Sequence, residues 1–211
     1  MLHLNQFNLG MLETNCFLLF NDQNNGLVID PGGAPDSVVD FLNKNSISLE
    51  MILNTHLHFD HIQGNEALAQ ATGARIAAPE ADRFLLDTEV GGGGFMGFPK
   101  TPDFEFENLV PGQTTFLDHE CRILATPGHT PGSLSFYFPD LEAVFVGDLV
   151  FYRSVGRTDF PGGDAEVLKK SAREQIFTLP DNTVIYPGHG PETRVLDEKL
   201  HNPFFHEKKF I

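Results

Sequence analysis

A chain of 211 residues with 41% apolar content and 20 Phe can bury a sizeable core, as one large domain or two small ones. Its formal charge of −15, from 29 Asp+Glu against 14 Lys+Arg, argues against nucleic acid and anionic membranes as partners. No apolar run approaches the length of a membrane span. Residues 1–10 carry neither a basic n-region nor an apolar h-region, so a cytoplasmic protein without a leader is expected. Cys16 and Cys121 sit in apolar, strand-like surroundings and read as buried free thiols rather than a disulfide framework.

Strand-like runs occur at residues 16–20 and 26–30, the second ending on Asp30 ahead of Pro31-Gly32. An amphipathic helix comes next over 35–45, with Val38, Val39, Phe41 and Leu42 as its apolar positions and Asp36 near its start. A buried strand over 51–54 leads into His56-Leu57-His58-Phe59-Asp60-His61, four metal-competent side chains within six residues. Neutral imidazoles and an ionised carboxylate suit a divalent ion of zinc or iron type. His56 and His58, two apart in an extended stretch, project to one side. Asp60 and His61 fall where the chain turns into the next helix, 66–72, and can point towards a second ion.

A strand over 75–78 and a helix over 79–87 come next. The segment 88–108 then breaks the pattern, because the four glycines Gly91 to Gly94 cannot hold a regular element cheaply. Phe95, Met96 and Phe98 would be odd in a solvated loop. The expectations are a glycine-hinged flap over a bound substrate, or a loop docked on the core. Strands are expected over 114–117, 121–125, 134–138, 143–147 and 184–186, with helices over 164–177 and 192–200 and an apolar tail over 202–211 that should pack down. Three further ligand candidates each end an apolar strand: His129 in Thr126-Pro127-Gly128-His129, Asp148 after Val144-Phe145-Val146-Gly147, and His189 in Tyr186-Pro187-Gly188-His189. Strands mixed with single helices imply sheets covered by helices on their outer faces.

Thr55 through His61, together with His129, Asp148 and His189, resembles the metallo-β-lactamase superfamily. The likeness runs nearly end to end, through Asn15-Cys16-Phe17-Leu18 and Val28-Ile29-Asp30-Pro31-Gly32-Gly33. Gly147-Asp148, Ser154-Val155-Gly156-Arg157-Thr158-Asp159-Phe160 and Asn202-Pro203-Phe204 are similar to the short bacterial hydroxyacylglutathione hydrolases (glyoxalase II). The resemblance implies one α/β domain over 1–211, a four-layer αββα sandwich of two mixed sheets with the metal site at one edge. It also implies that the C-terminal helical domain of full-length glyoxalase II is absent. Two divalent ions are implied as well, zinc first, with iron or manganese compatible. His56, His58 and His129 would hold one, Asp60, His61 and His189 the other, and Asp148 would bridge them. A hydroxide between the ions would attack a glutathione thioester such as S-lactoylglutathione, whose leaving thiol has a pKa of about 8.5. Asp60 would orient that nucleophile. Arg157 matches the family's basic glutathione contact, although Asp159 stands where an aromatic is expected, and Asp30 is the expected hydrogen-bond partner behind the ligands.

The Gly-Arg-Thr-Asp-Phe string also occurs in persulfide dioxygenases, which keep an alternative in view: a single iron on His56, His129 and Asp148. A β-lactamase is disfavoured by Asp148, since those enzymes generally lack the bridging aspartate. The charge disfavours a nuclease, and the complete ligand set disfavours a non-catalytic module. The resemblance assigns no oligomeric state.

Overall fold

β1 (Leu2–Leu9) and β2 (Thr14–Asn21) form an antiparallel hairpin, paired from Leu2 with Asn21 to Leu9 with Thr14. The computed structural model describes residues 1–206 of the chain. They fall into two units, Met1–Val110 with Thr115–His119, and Pro111–Thr114 with the chain from Glu120 onward.

The sheet of the first unit runs in the order β1, β2, β3 (Asn25–Ile29), β4 (Ser48–Leu53), β5 (Arg75–Ala78), β6 (Glu107–Asn108). β1 to β3 are antiparallel and β3 to β6 parallel. Parallel neighbours need crossovers. α1 (Asp36–Asn45) supplies one between β3 and β4, and α3 (Asn65–Thr72) one between β4 and β5. α1 is amphipathic because Val38 and Leu42, four apart, share a face. Both are buried in a cluster with Leu18, Val28, Ile52, Leu68 and Ile76. Each such side chain contributes about 1.5–3 kcal/mol on burial. The parallel ladder continues past the strand ends, with Asp30 N donating to Leu53 O at 3.0 Å and Asn54 N to Ala77 O at 3.0 Å. Asp30 and the His56–His61 segment therefore start from the carboxyl edge of the parallel strands, the usual place for a site in such sheets. A single helical turn, α2 (Phe59–Ile62), carries Asp60 and His61.

The second sheet runs β14 (Thr193–Arg194), β13 (Val184–Pro187), β10 (Ala143–Gly147), β9 (Leu134–Phe138), β8 (His119–Ala125), β7 (Gly112–Phe116). β10 and β13 are parallel, while β13 with β14, β10 with β9 and β9 with β8 are antiparallel. Between β10 and β13 lie a small hairpin, β11 (Val150–Phe151) with β12 (Ser154–Val155), and α5 (Ala165–Ser171), which runs on into a π turn at Ala172–Ile176. α5 starts where Asp164 Oδ1 accepts from Glu166 N at 2.9 Å and Val167 N at 3.0 Å. Leu168, Ala172 and Ile176 then reach the core of Val144, Val146, Ile185 and Val195.

The structure departs from sequence expectation at several places, the short strands β6, β11 and β12 among them. β1 had no sequence signal, because its run of Asn and Gln hides the strand pattern. Residues 79–87 form a 3₁₀ segment, Glu80–Asp87, rather than an α-helix. It buries Asp82 and Leu85, three apart, which a threefold repeat places on one face. Over 192–200 the chain first adds β14 and then forms α6 (Val195–His201). Within 88–108, Glu89–Gly92 is a helical turn, α4, although two of its residues are glycines. Both cysteines are free and buried. Burial pushes the Cys16 thiol up and that of Cys121 to about 12, so both stay protonated. Of the tail, Phe205 packs edge-on against Phe177 at 4.7 Å, and residues 207–211 lie outside the described residues. Among the described residues no helix is long and apolar enough to cross a membrane.

Candidate metal centre

In the first unit His56, His58 and His61 are all buried, with the His56 ring 4.8 Å from that of His58 and 4.1 Å from that of His61. Asp60 Oδ2 lies 3.7 Å from His61 Nε2. Asp30, only 2% exposed and in the left-handed region at φ 53°, is the hydrogen-bonding hub behind them. Its Oδ1 accepts from Thr55 N at 2.8 Å; its Oδ2 accepts from Thr55 Oγ1 at 2.6 Å and from His61 Nδ1 at 2.9 Å. An ionised carboxylate only accepts, so Nδ1 of His61 carries the proton and, in the neutral ring, Nε2 the lone pair. The Thr55 hydroxyl directs its one proton to Asp30, so towards His56 Nδ1, 3.0 Å away, it can only accept. His56 takes the same tautomer. One carboxylate thus sets two imidazoles to present Nε2, the second-partner logic common behind metal-binding histidines. Asp30 has an oxygen within 4.8 Å of ligand atoms of His56 and His61. Its two oxygens already accept from three donors.

The backbone of this ligand segment is clamped from two sides. Asp82, fully buried, accepts from Leu57 N at 3.3 Å. A Cβ on Gly91 would lie 2.8 Å from Leu57 O and 2.4 Å from Leu85 O, and one on Gly32 would lie 1.9 Å from Asp60 O. Gly91 is therefore glycine because two chain segments meet there. Thr101 Oγ1 donates to Gly91 O at 2.8 Å, Val90 is buried, and the Phe98 ring lies 5.2 Å from that of Phe59. Of the expected flap, the docked alternative is the one found, with Met96, 83% exposed, as its protruding side chain. Asp82 escaped sequence reasoning. Its one trace was an acid three residues before a buried leucine.

In the second unit, Asp148 comes directly after β10, and its Oδ2 lies 3.6 Å from His129 Nε2 and 3.7 Å from His189 Nε2. His129 Nδ1 contacts Arg157 O at 2.7 Å. A carbonyl only accepts, so here too Nδ1–H donates, and in the neutral tautomer the lone pair is on Nε2, the nitrogen 3.6 Å from Asp148. Gly156 makes the approach possible, since a Cβ there would lie 1.8 Å from Asp148 O. The Arg157 guanidinium is held by Asp159 through two bonds of 2.7 Å and lies 3.7 Å from the Phe160 ring centroid. That ion pair raises the Arg157 pKa and holds the Asp159 carboxyl at about 2. The carbonyl of Arg157, which no side-chain motif marks, is thus what orients His129.

Residues 9–189 match the metallo-β-lactamase superfamily. The hydroxyacylglutathione hydrolase GloC of Haemophilus influenzae is 35% identical over 202 residues, covering 93% of this chain and 94% of that protein. Among solved structures, the BLEG-1 B3 metallo-β-lactamase aligns with a TM-score of 0.91 at 32% identity, over 97% of this chain and 100% of that one. TTHA1623, solved in a di-iron-bound form, aligns at 0.86 and 32% identity, over 95% and 99%. The two mixed sheets with flanking helices are the fold these structures share, and that fold implies a divalent-metal site. On both its sequence and its fold, this chain belongs to the metallo-β-lactamase superfamily.

Proposed function

We propose that the protein is a metal-dependent hydrolase of glutathione thioesters, with S-lactoylglutathione as the type substrate. The observation that carries the reading is the Asp148 oxygen standing 3.6 and 3.7 Å from two imidazole nitrogens, which suits a carboxylate shared by two ions. The donor set fits divalent cations: neutral imidazoles with assigned Nε2 lone pairs, and carboxylates beside them. His56, His58 and His129 are the proposed ligands of one ion and Asp60, His61 and His189 of the other, with Asp148 common to both. Zinc is the proposed metal, and iron or manganese suits the same donors. Such ions, when bound, supply a Lewis acid for the thioester carbonyl and lower the pKa of water towards neutrality.

The chain's own groups do the rest. Asp30 and the Arg157 carbonyl keep protons off the Nε2 atoms of His56, His61 and His129. Asp60 orients the attacking water. The leaving thiol, with a pKa of about 8.5, needs little help from a general acid. Arg157, roughly half exposed, is the proposed contact for a glutathione carboxylate, which would take the place of Asp159. The likeness to GloC over nearly the full length of both chains supports this substrate class, and the cytoplasm is the proposed compartment.

The test measures metal content, thioester loss from S-lactoylglutathione, oxygen uptake with glutathione persulfide, and hydrolysis of a chromogenic cephalosporin on one preparation. Thioester cleavage with two ions per chain is expected. Oxygen uptake without thioester cleavage would establish a dioxygenase instead. Cephalosporin hydrolysis alone would align the protein with the activity named for BLEG-1.

A further inference from the structure

Glu198, on α6, is fully buried, and four donors converge on it. Thr193 Oγ1 at 2.7 Å and Arg153 Nη1 at 3.0 Å reach Oε1, while Arg153 N at 3.0 Å and Asn202 Nδ2 at 2.8 Å reach Oε2. Arg153 closes the β11–β12 hairpin in the left-handed region at φ 56°, a conformation a non-glycine residue holds only when its surroundings impose it. Glu198 imposes it by taking both its amide and its guanidinium, and the guanidinium also donates to Asp197 O at 2.7 Å. Asn202 grips the next residue, donating to Ser154 O at 2.9 Å. The hairpin is thus held to α6 at two successive residues.

The hairpin leads directly into the site. β12 ends at Val155, Gly156 lies against the Asp148 carbonyl, and Arg157 presents the carbonyl that accepts from His129. We propose that Glu198, acting with Asn202, is a positioning residue for His129: it anchors the β11–β12 hairpin so that the Arg157 carbonyl stays aimed at Nδ1 of that ring. The proposal gives the Asn202-Pro203-Phe204 segment a task. Its bearing on catalysis rests on the reading of His129 as a metal ligand.

The experiment is ¹H–¹⁵N NMR of the imidazole groups in metal-free, full-length wild-type, Glu198→Gln and Asn202→Ala proteins. His61, whose Nδ1–H is held by Asp30 in the other unit, serves as the internal control. In both variants the His129 Nδ1–H should exchange with water about tenfold faster or more and its tautomer become mixed, while the His61 signal stays as in wild type. Zinc titration of the same samples should show affinity reduced by about tenfold, the low end for partners lying behind metal ligands. An unchanged His129 signal in a folded variant overturns the proposal. So does parallel loss of both signals, which would mean a global structural role. If Glu198→Gln does not fold, Asn202→Ala, which leaves the Glu198–Arg153 pair in place, decides alone. The NMR uses neither metal nor substrate, so its outcome is independent of whether thioesters are hydrolysed.

Discussion

Replacing Asp30 with Asn changes one oxygen into an amide nitrogen and leaves shape almost untouched, yet the hydrogen-bond logic of the first unit then reverses. The retained oxygen still accepts from Thr55 N, 2.8 Å away. The new NH₂ stands where Oδ2 was, 2.6 Å from Thr55 Oγ1 and 2.9 Å from His61 Nδ1, both of which had been donating to it. Both must become acceptors. His61 then carries its proton on Nε2. The Thr55 hydroxyl turns its proton to His56 Nδ1 at 3.0 Å, and His56 changes tautomer as well. Three charge-assisted bonds become neutral ones, and the relocated protons come to rest on buried Nε2 atoms, so metal-free protein should lose at least about 1.5–3 kcal/mol in urea unfolding. The larger effect falls on the metal, because both proton relocations land on the nitrogens proposed to bind it. Affinity for zinc, titrated against a chromogenic chelator, should drop about 10–100-fold. Imidazole ¹⁵N shifts report the tautomers directly. If His56 and His61 in Asp30→Asn keep Nδ1–H and wild-type zinc affinity, the reasoning from Asp30 through Thr55 is wrong.

Asp148→Ala should lower the affinity for both ions, since the proposed bridge is lost, whereas His189→Ala should spare the first; a one-ion protein at excess metal by elemental analysis would count against the bridge. Gly91→Ala forces a methyl against Leu57 O and Leu85 O and should cost about 1–3 kcal/mol together with some metal content. Gly97→Ala, at φ 85° with nothing within 4 Å, should cost about 1 kcal/mol and leave metal content alone, and equal metal loss in the two would refute the clamp. Asp159 has a folded pKa below its ordinary value, so its pairing with Arg157 favours the fold above the usual carboxylate range and is lost as pH falls from about 4 to about 2. In Arg157→Ala, carboxyl NMR should show Asp159 titrating at an ordinary value, and a pKa still near 2 would mean that another group holds it.

How much of this was legible in the chain depends on where each signal is stored. The candidate ligands could be named because residue type and spacing are local: two His two apart at a strand end, and single His or Asp residues where apolar strands stop at glycine turns. Most strands and the α1 and α3 crossovers were readable for the same reason, through apolar runs and a fourfold repeat. β1 was not, because strand pairing rewards backbone bonds that Asn and Gln can make as well as any residue, and its partner lies in another segment. The run Gly91 to Gly94 shows a sharper limit. Glycine suits both a hinge and a close approach of two backbones, and only the position of Leu57 O and Leu85 O distinguishes them. The Arg157 carbonyl is the extreme case. Every residue has a carbonyl, so no side-chain pattern can announce that this one orients His129. What the sequence does carry is its consequence, a glycine at 156 and an arginine at 153 in a conformation that arginine disfavours. Both are recognisable as support for a site only once the fold has brought Glu198 to one and Asp148 to the other.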